Sequence, residues 1–460
     1  MSRKSFFRYI ILFIFISIFL GIKLANNSIN FFTDTETYFY TGYKLLHGQR
    51  LYTDIFFTNL PLFPYISALY FLLTRGNIYA YYFTSSIEAT LVAILIYKII
   101  YRETSDYLSS TISALLYLFS LVTLFITKGQ SGIITASLFL VITYYFLLKK
   151  KYLLSGIFLS VCFLTKGYFI VVIPAFFLKV FILKDREKYY FYIGFLVLTS
   201  LVFLPFTFTS FKEIFAETVK FYVSKGAGIP KETILQYVFT YDPLLFLLFV
   251  YNILRIKKNL FFGTLCLFFL FYFIFSSGVY YLYLSMIVPF LCISYPSFYY
   301  SIQKRLQYQK YVLEPFVLVY ILYVSLVYLL SFSSSNKVNY FSEMINIVKK
   351  EKPSYLYGVS GLSAILAYET GTPLLENIID TNEDLYKNNI YDGRKLTKKA
   401  IQQKAMLISV GRFYPQQSIR ENIVNISIDK TLAEKSCHYV KGFSENIDAG
   451  VNMINFYRCY

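Results

Sequence analysis

The densest group of side chains able to do chemistry lies near the start of the chain, in Phe32-Thr33-Asp34-Thr35-Glu36-Thr37-Tyr38-Phe39-Tyr40-Thr41-Gly42-Tyr43. A carboxylate placed just beyond an apolar run, as Asp34 is, can act as a general base on a hydroxyl or ligate a cation. A solvated loop acid is the plainer alternative. Glu36 follows two residues later; on an extended segment it shares a side with Asp34, and on a helix it does not. Glu88 stands near the middle of an apolar run from Ile78 to Ile100, where a charge is costly. It either lines a polar cavity or is a protonated or hydrogen-bonded packing residue. Lys166, in Cys162-Phe163-Leu164-Thr165-Lys166-Gly167, and Lys225, in Lys225-Gly226-Ala227-Gly228-Ile229-Pro230, are candidate cations. Either could equally snorkel from an interface to water.

Composition decides what kind of scaffold positions these groups. The chain has 460 residues, 57% hydrophobic and only 15% charged, with a mean hydropathy of +0.52. A soluble domain carries about 25% charged residues. Apolar runs near 20 residues long recur here, so the fold class is an α-helical polytopic membrane protein. That excludes a soluble enzyme, a disordered chain and a disulfide-framework scaffold. The net charge of +18 is unevenly spread: residues 1–330 hold 28 basic and 13 acidic side chains, and the remainder holds 16 and 13. The excess lies among the apolar segments, where it reports orientation, so no nucleic-acid partner is expected. Cys162, Cys266 and Cys292 fall inside apolar runs and read as core residues. Cys437 and Cys459 lie in the polar tail and pair if that tail faces an oxidising compartment. No zinc-ligand spacing is present.

The first apolar run follows Arg3, Lys4 and Arg8 and has no small-residue cleavage site after it, so a retained first helix is expected. Further runs centre near residues 67, 89, 118, 140, 158, 175, 199, 248, 268, 289 and 320. Pro61–Thr74 is too short to span and begins with Pro61 and Pro64. If it does not span and the N-terminus is cytoplasmic, six basic clusters all face the cytoplasm. They are Arg3/Lys4/Arg8, Lys98/Arg102, Lys149–Lys151, Lys179–Lys188, Arg255–Lys258 and Lys304/Arg305/Lys310, and they hold 18 of the 28 basic residues. Pro61–Thr74 then reads as a re-entrant or interfacial half-helix beside about 11 spanning helices. The expected division is a transmembrane part, residues 1–330, with external loops at 24–77 and 210–242, and a small α/β extracytoplasmic domain at 331–460. In the second loop Glu213–Val223 has the spacing of an interfacial helix, followed by a hinge or plain connector. In the tail, strands are expected at Ser354–Val359, Ala405–Val410 and Asn452–Cys459, and helices at Leu362–Tyr368 and Thr397–Lys404.

Asp34, Tyr38, Tyr40, Gly48, Tyr52, Asp54 and Pro61 fall in an order and spacing that resembles the first-loop signature of GT-C glycosyltransferases. These are multi-spanning enzymes related to aminoarabinose transferases and protein O-mannosyltransferases. Cys162–Gly167 is similar to a Leu-x-Lys-Gly stretch found several helices later in many of them. The resemblance implies transfer of a sugar from a polyprenyl-phosphate donor to a lipid, glycan or protein acceptor at the outer face of the membrane, with inversion. It implies Asp34 as general base with Glu36 as the neighbouring acid. Lys166, Lys225 and Arg50 become candidates for the donor phosphate, and Tyr38, Tyr40, Asn59 and Glu88 for the substrate cavity. Many relatives have adjacent Asp-Glu where Thr35 follows Asp34 here, and a basic residue or histidine before two prolines where Asn59-Leu60-Pro61 stands. Some place an acid after the third or fourth helix, where the nearest residue here is Gln130. No cofactor is required; a divalent cation is possible but is not supported by the ligand spacing. The stretch Tyr357–Gly371 with Ile379-Asp380-Thr381-Asn382 resembles extracytoplasmic domains that trail some of these enzymes. Asp380–Asn382 either shapes an acceptor surface or forms a capped turn.

The expected location is the plasma (inner) membrane, with the N-terminus cytoplasmic and the tail domain outside. A transporter or lipid-linked-saccharide flippase is the first rival, but residues 1–165 and 166–330 show no internal symmetry of the kind such proteins carry. A polysaccharide polymerase or ligase would place its large external loop between late helices. A non-catalytic scaffold is separated from an enzyme by substituting Asp34.

Overall fold

A backbone surrounded by hydrocarbon must satisfy its own N–H and C=O groups, and the apolar runs accordingly fold as helices. The computed structural model describes residues 3–26, 34–214, 217–218, 229–306, 313–332, 340–387, 389–413, 423–424, 427–447 and 450–460. Its first half comprises α1 (Arg3–Ala25), α2 (Asp34–Leu46), α3 (Leu62–Leu73), α4 (Ile78–Thr104), α5 (Tyr107–Leu118), α6 (Leu121–Ile126), α7 (Ile133–Leu148), α8 (Tyr152–Thr165), α9 (Ile173–Ile182) and α10 (Tyr189–Thr209). Side-chain caps set several starts: Asn77 accepts from the Ala80 N–H before α4, and Asp106 from the Leu108 N–H before α5. Helices Lys231–Tyr241, Pro243–Leu254, Leu260–Phe275, Val288–Leu306 and Leu313–Phe332 complete the bundle. By length and composition α4 and α10 suffice to cross a membrane, and Lys231–Tyr241 with Pro243–Leu254 form a broken pair bent by 106°.

The break is at Asp242, which is fully buried and accepts hydrogen bonds from the Leu121 and Val122 N–H groups and from the Tyr281 and Tyr320 hydroxyls. A buried carboxylate is tolerated only when so satisfied, and this one fixes the start of α6. Leu196, Leu201, Leu204 and Phe208 of α10 are exposed apolar side chains, a surface fit for lipid tails. The half-helix expected over Pro61–Thr74 is α3, whose Tyr65, Leu69, Leu72 and Leu73 are exposed while Phe63, Pro64, Ser67 and Ala68 pack inward. Gly42 lets α2 and α3 touch backbone to backbone: a Cβ there would stand 2.8 Å from the Ala68 nitrogen.

One end of the bundle gathers the turns that carry basic residues. Tyr300 donates to Asp106 at 2.6 Å, Tyr152 to Asp185 at 3.0 Å, and Asn259 to the Ser297 hydroxyl at 3.2 Å. The opposite end carries α2, the C-terminal ends of α6 and α8, and the tail.

The tail is a sheet with flanking helices. Strands β1 (Leu356–Gly358), β2 (Met406–Phe413), β3 (Ile423–Val424), β4 (Cys437–Ile447) and β5 (Gly450–Cys459) run in the order β1-β2-β5-β4, with β3 beside β2. Among the described strands only the β1–β2 pair is parallel. The expected helix ending at Gly371 is Ser360–Thr370, with Gly371 left-handed at its C-cap. The expected Thr397–Lys404 helix is Gly393–Gln402. Strand β4 and the amphipathic helix Tyr340–Glu351 complete the unit. Cys437 and Cys459, register partners on β4 and β5, form a disulfide. One apolar cluster welds the tail to the bundle: Phe39, Tyr40, Tyr81 and Tyr82 pack with Leu362, Ile365 and Leu366. Tyr368 lies edge-on to Phe39 at 4.9 Å and donates to the Gly76 carbonyl.

Candidate active site

A cavity of about 420 Å³ opens where α2, the first loop, the ends of α6 and α8, and the tail meet. Asp34 is the first residue of α2 and lines it; Tyr38, one helical turn later, lines it too. Because α2 begins at Asp34, Glu36 points elsewhere: it is fully buried and accepts a hydrogen bond from Tyr82. Tyr40 is also buried behind the cavity wall, under the Lys44 ammonium.

Lys166 ends α8. Its backbone is extended (φ −142°, ψ 107°) before the tight turn Gly167–Val172, so the chain breaks where its side chain enters the cavity. The ammonium is almost wholly buried, donates to the Tyr38 hydroxyl at 2.6 Å and lies 4.5 Å over the Tyr38 ring. Asn59 donates to the same hydroxyl at 3.1 Å. Lys166, Tyr38 and Asn59 therefore form one hydrogen-bonded group in the cavity that Asp34 also lines.

Arg50 is not brought there. It is exposed, pairs with Asp54 through its backbone N–H at 2.9 Å and its guanidinium at 3.2 Å, and holds the Asp54 carboxyl below the ordinary carboxylate range. Glu88 also lies outside the cavity: buried in α4, it accepts from Gln130 at 2.7 Å, from Thr135 at 3.0 Å and from Tyr70. Lys225 and most of the expected Glu213–Val223 helix lie outside the described residues.

The structure adds Lys128, half-buried on the cavity wall with its ammonium 4.7 Å over the Phe125 ring. Thr127-Lys128-Gly129 ends α6 as Thr165-Lys166-Gly167 ends α8. In each, the threonine hydroxyl bonds back four residues, to Thr123 and to Val161 respectively. This repeated tripeptide was the available sequence signal for Lys128. Gly129 allows the α6 end to abut α2, since a Cβ there would lie 2.3 Å from the Thr35 hydroxyl.

The first and second loops are stapled together. The Phe57 N–H donates to Glu217 at 2.8 Å, and the Thr53 and Ser210 hydroxyls meet at 2.9 Å. Burial, opposed by the Phe57 N–H and helped by nearby Glu213, pushes the Glu217 carboxyl up to about 8. Asp380 and Asn382 of the tail complete the cavity wall; Asp380 accepts from Thr58 at 3.4 Å and from the Asn382 N–H at 2.9 Å. The capped turn and the cavity surface are thus the same segment. Among the described residues no three His, Cys, Asp or Glu side chains converge as a metal site.

No protein-family model and no curated protein matches the sequence. The fold has solved counterparts. The structure of ArnT from Cupriavidus metallidurans bound to undecaprenyl phosphate matches with a TM-score of 0.59 at 13% identity, over 96% of this chain and 97% of that one. The apo structure of the same protein matches with a TM-score of 0.59 at 12% identity, over the same shares of both chains. The GT-C-like fold expected from the first loop is the fold observed.

Proposed function

We propose that this chain is a membrane glycosyltransferase that takes a sugar from a polyprenyl-phosphate donor. The observation that carries the reading is one cavity lined by both a carboxylate at a helix start, Asp34, and a buried ammonium, Lys166, in a fold shared with a protein solved with undecaprenyl phosphate. In this reading Asp34 takes the proton from an acceptor hydroxyl as its oxygen attacks the anomeric carbon. The bond from that carbon to the phosphate oxygen breaks, its electron pair leaves with the lipid phosphate, and the configuration inverts. Lys166 and Lys128 offset the charge that develops on the leaving phosphate. Tyr38 and Asn59 hold the Lys166 ammonium in place.

The same reading assigns residues 1–330 to the membrane as about 11 spanning helices with α3 re-entrant, and residues 331–460 to the outer face. The collection of basic turns at the end opposite the cavity supports a cytoplasmic N-terminus. The Cys437–Cys459 disulfide suits an oxidising compartment for the tail. The test is incubation of the reconstituted protein with radiolabelled polyprenyl-phosphate sugars and pooled lipid, glycan and protein acceptors. Release of polyprenyl phosphate with labelling of one acceptor pool is expected; consumption of no donor would overturn the proposal.

A further inference from the structure

The cavity is divided by chemistry. The two ammoniums reach it from helix ends within the bundle, whereas Asp380 and Asn382 reach it from the tail. Their placement is built rather than incidental. Thr381, between them, is buried and donates to the Gly358 carbonyl at the end of β1 at 2.7 Å. That bond pins the middle residue of the segment into the tail and leaves its two neighbours on the cavity wall. Asp380 is further held beside the first loop by Thr58, itself next to Asn59. The tail cannot drift from this position cheaply, because Tyr368 and Leu366 are packed against α2, the helix that begins with Asp34.

Aromatic rings line the cavity as well: Tyr168 and Tyr283, stacked on each other at 4.4 Å, both lie in its wall. A carboxylate that accepts, an amide that both donates and accepts, and aromatic faces form a complementary set for one ligand class. A sugar ring has hydroxyls around its edge and C–H groups on its faces. An anionic acceptor would meet two carboxylates, Asp34 and Asp380. An extended peptide would gain most from the edge of a strand, whereas the tail contributes a turn here.

We propose that Asp380 and Asn382 form the acceptor subsite and that the acceptor is a sugar residue of a glycan, which they orient with one hydroxyl toward Asp34. This rests on the glycosyltransferase reading. The test measures transfer from a radiolabelled polyprenyl-phosphate sugar to two acceptor pools, oligosaccharides released from the source cell envelope and Ser/Thr-containing peptides. Wild type, Asp380→Ala, Asp380→Asn and Asn382→Ala are compared, with Arg394→Ala as a control on the exposed side of the tail. Label is expected on the oligosaccharides. Asp380→Ala should raise the half-saturating acceptor concentration roughly tenfold or more, the range of a charge-assisted hydrogen bond, without changing that for the donor. Asp380→Asn keeps an oxygen for the Asn382 N–H, so it tests the charge with the turn intact. Label on the peptides would overturn the acceptor class. Unchanged acceptor saturation in both alanine variants would overturn the residue assignment, as would a shift confined to donor saturation. Failure of wild type to consume donor with these two pools would overturn the glycan acceptor, and failure with a lipid acceptor pool as well would instead overturn the glycosyltransferase reading beneath it.

Discussion

Replacing Lys166 by Met separates the chemical role of this side chain from its packing role. The ammonium is 3% exposed and touches Tyr38 and Phe63, so an unbranched thioether of similar length can fill its space. Exchanging a buried charge for an apolar group of like volume is often neutral in stability. The variant should therefore keep its thermal midpoint within a few degrees. Activity should not survive as well. If the ammonium meets charge developing on the leaving phosphate in a dry site, its loss should cost about 3–4 kcal/mol, or roughly 10²- to 10³-fold in kcat/KM. Lys128, only half-buried, should cost less as Lys128→Met, about tenfold. Because both would touch one phosphate, the double variant should lose less than the product of the two, with a coupling of about 0.5–3 kcal/mol. The assay is release of polyprenyl phosphate from a radiolabelled donor in proteoliposomes, with a melting curve on each variant. A folded Lys166→Met with wild-type kcat/KM would refute the phosphate role, and strict additivity would refute a shared phosphate.

Gly42→Ala should lower stability by about 1–3 kcal/mol, because the new methyl meets backbone rather than a yielding side chain, and a thermal midpoint equal to wild type would contradict the close α2–α3 contact. The staple between Glu217 and Phe57 should depend on pH. Its carboxyl holds a proton up to about pH 8 when packed, and only up to its ordinary value of 4.5 when released, so closure takes up a proton between those limits. The contact should be fully favoured below pH 4.5 and weaken as pH rises to about 8. Hydrogen exchange at Phe57, corrected for base catalysis, reports this. Glu217→Gln should flatten the profile, and an unchanged profile in that variant would assign the titration elsewhere.

Much of the fold could be read from the chain because apolar runs and glycine or proline punctuation act locally. The helix ending at Gly371, the half-helix after Pro61 and the strands near Tyr357 and Leu407 follow from such signals. Strand β4 escaped because Cys437–Ile447 has its polar residues spread along it and gains its shape from pairing with β5. In the site, Asp34 and Lys166 were marked by residue type and place in the chain, Tyr38 and Asn59 by the family resemblance, and the structure gathers these four around one cavity. Arg50 and Glu36 carried equally suitable charges, yet a local partner at Asp54 and the helical phase of α2 take them away from the cavity. The second cause is not visible without knowing where α2 begins. Asp380 reaches the cavity from more than three hundred residues away, a contact set by how the tail packs on Phe39 and Tyr43.

The central claim is that Asp34 is the base of a sugar transfer. It is tested most directly by comparing wild type with Asp34→Asn, reconstituted in membranes with a radiolabelled polyprenyl-phosphate sugar and its acceptor pool. The account predicts that the variant folds, retains the lipid phosphate, and transfers sugar about 10²- to 10⁴-fold more slowly, the contribution of a positioned general base. Equal rates of transfer by the two proteins would contradict it.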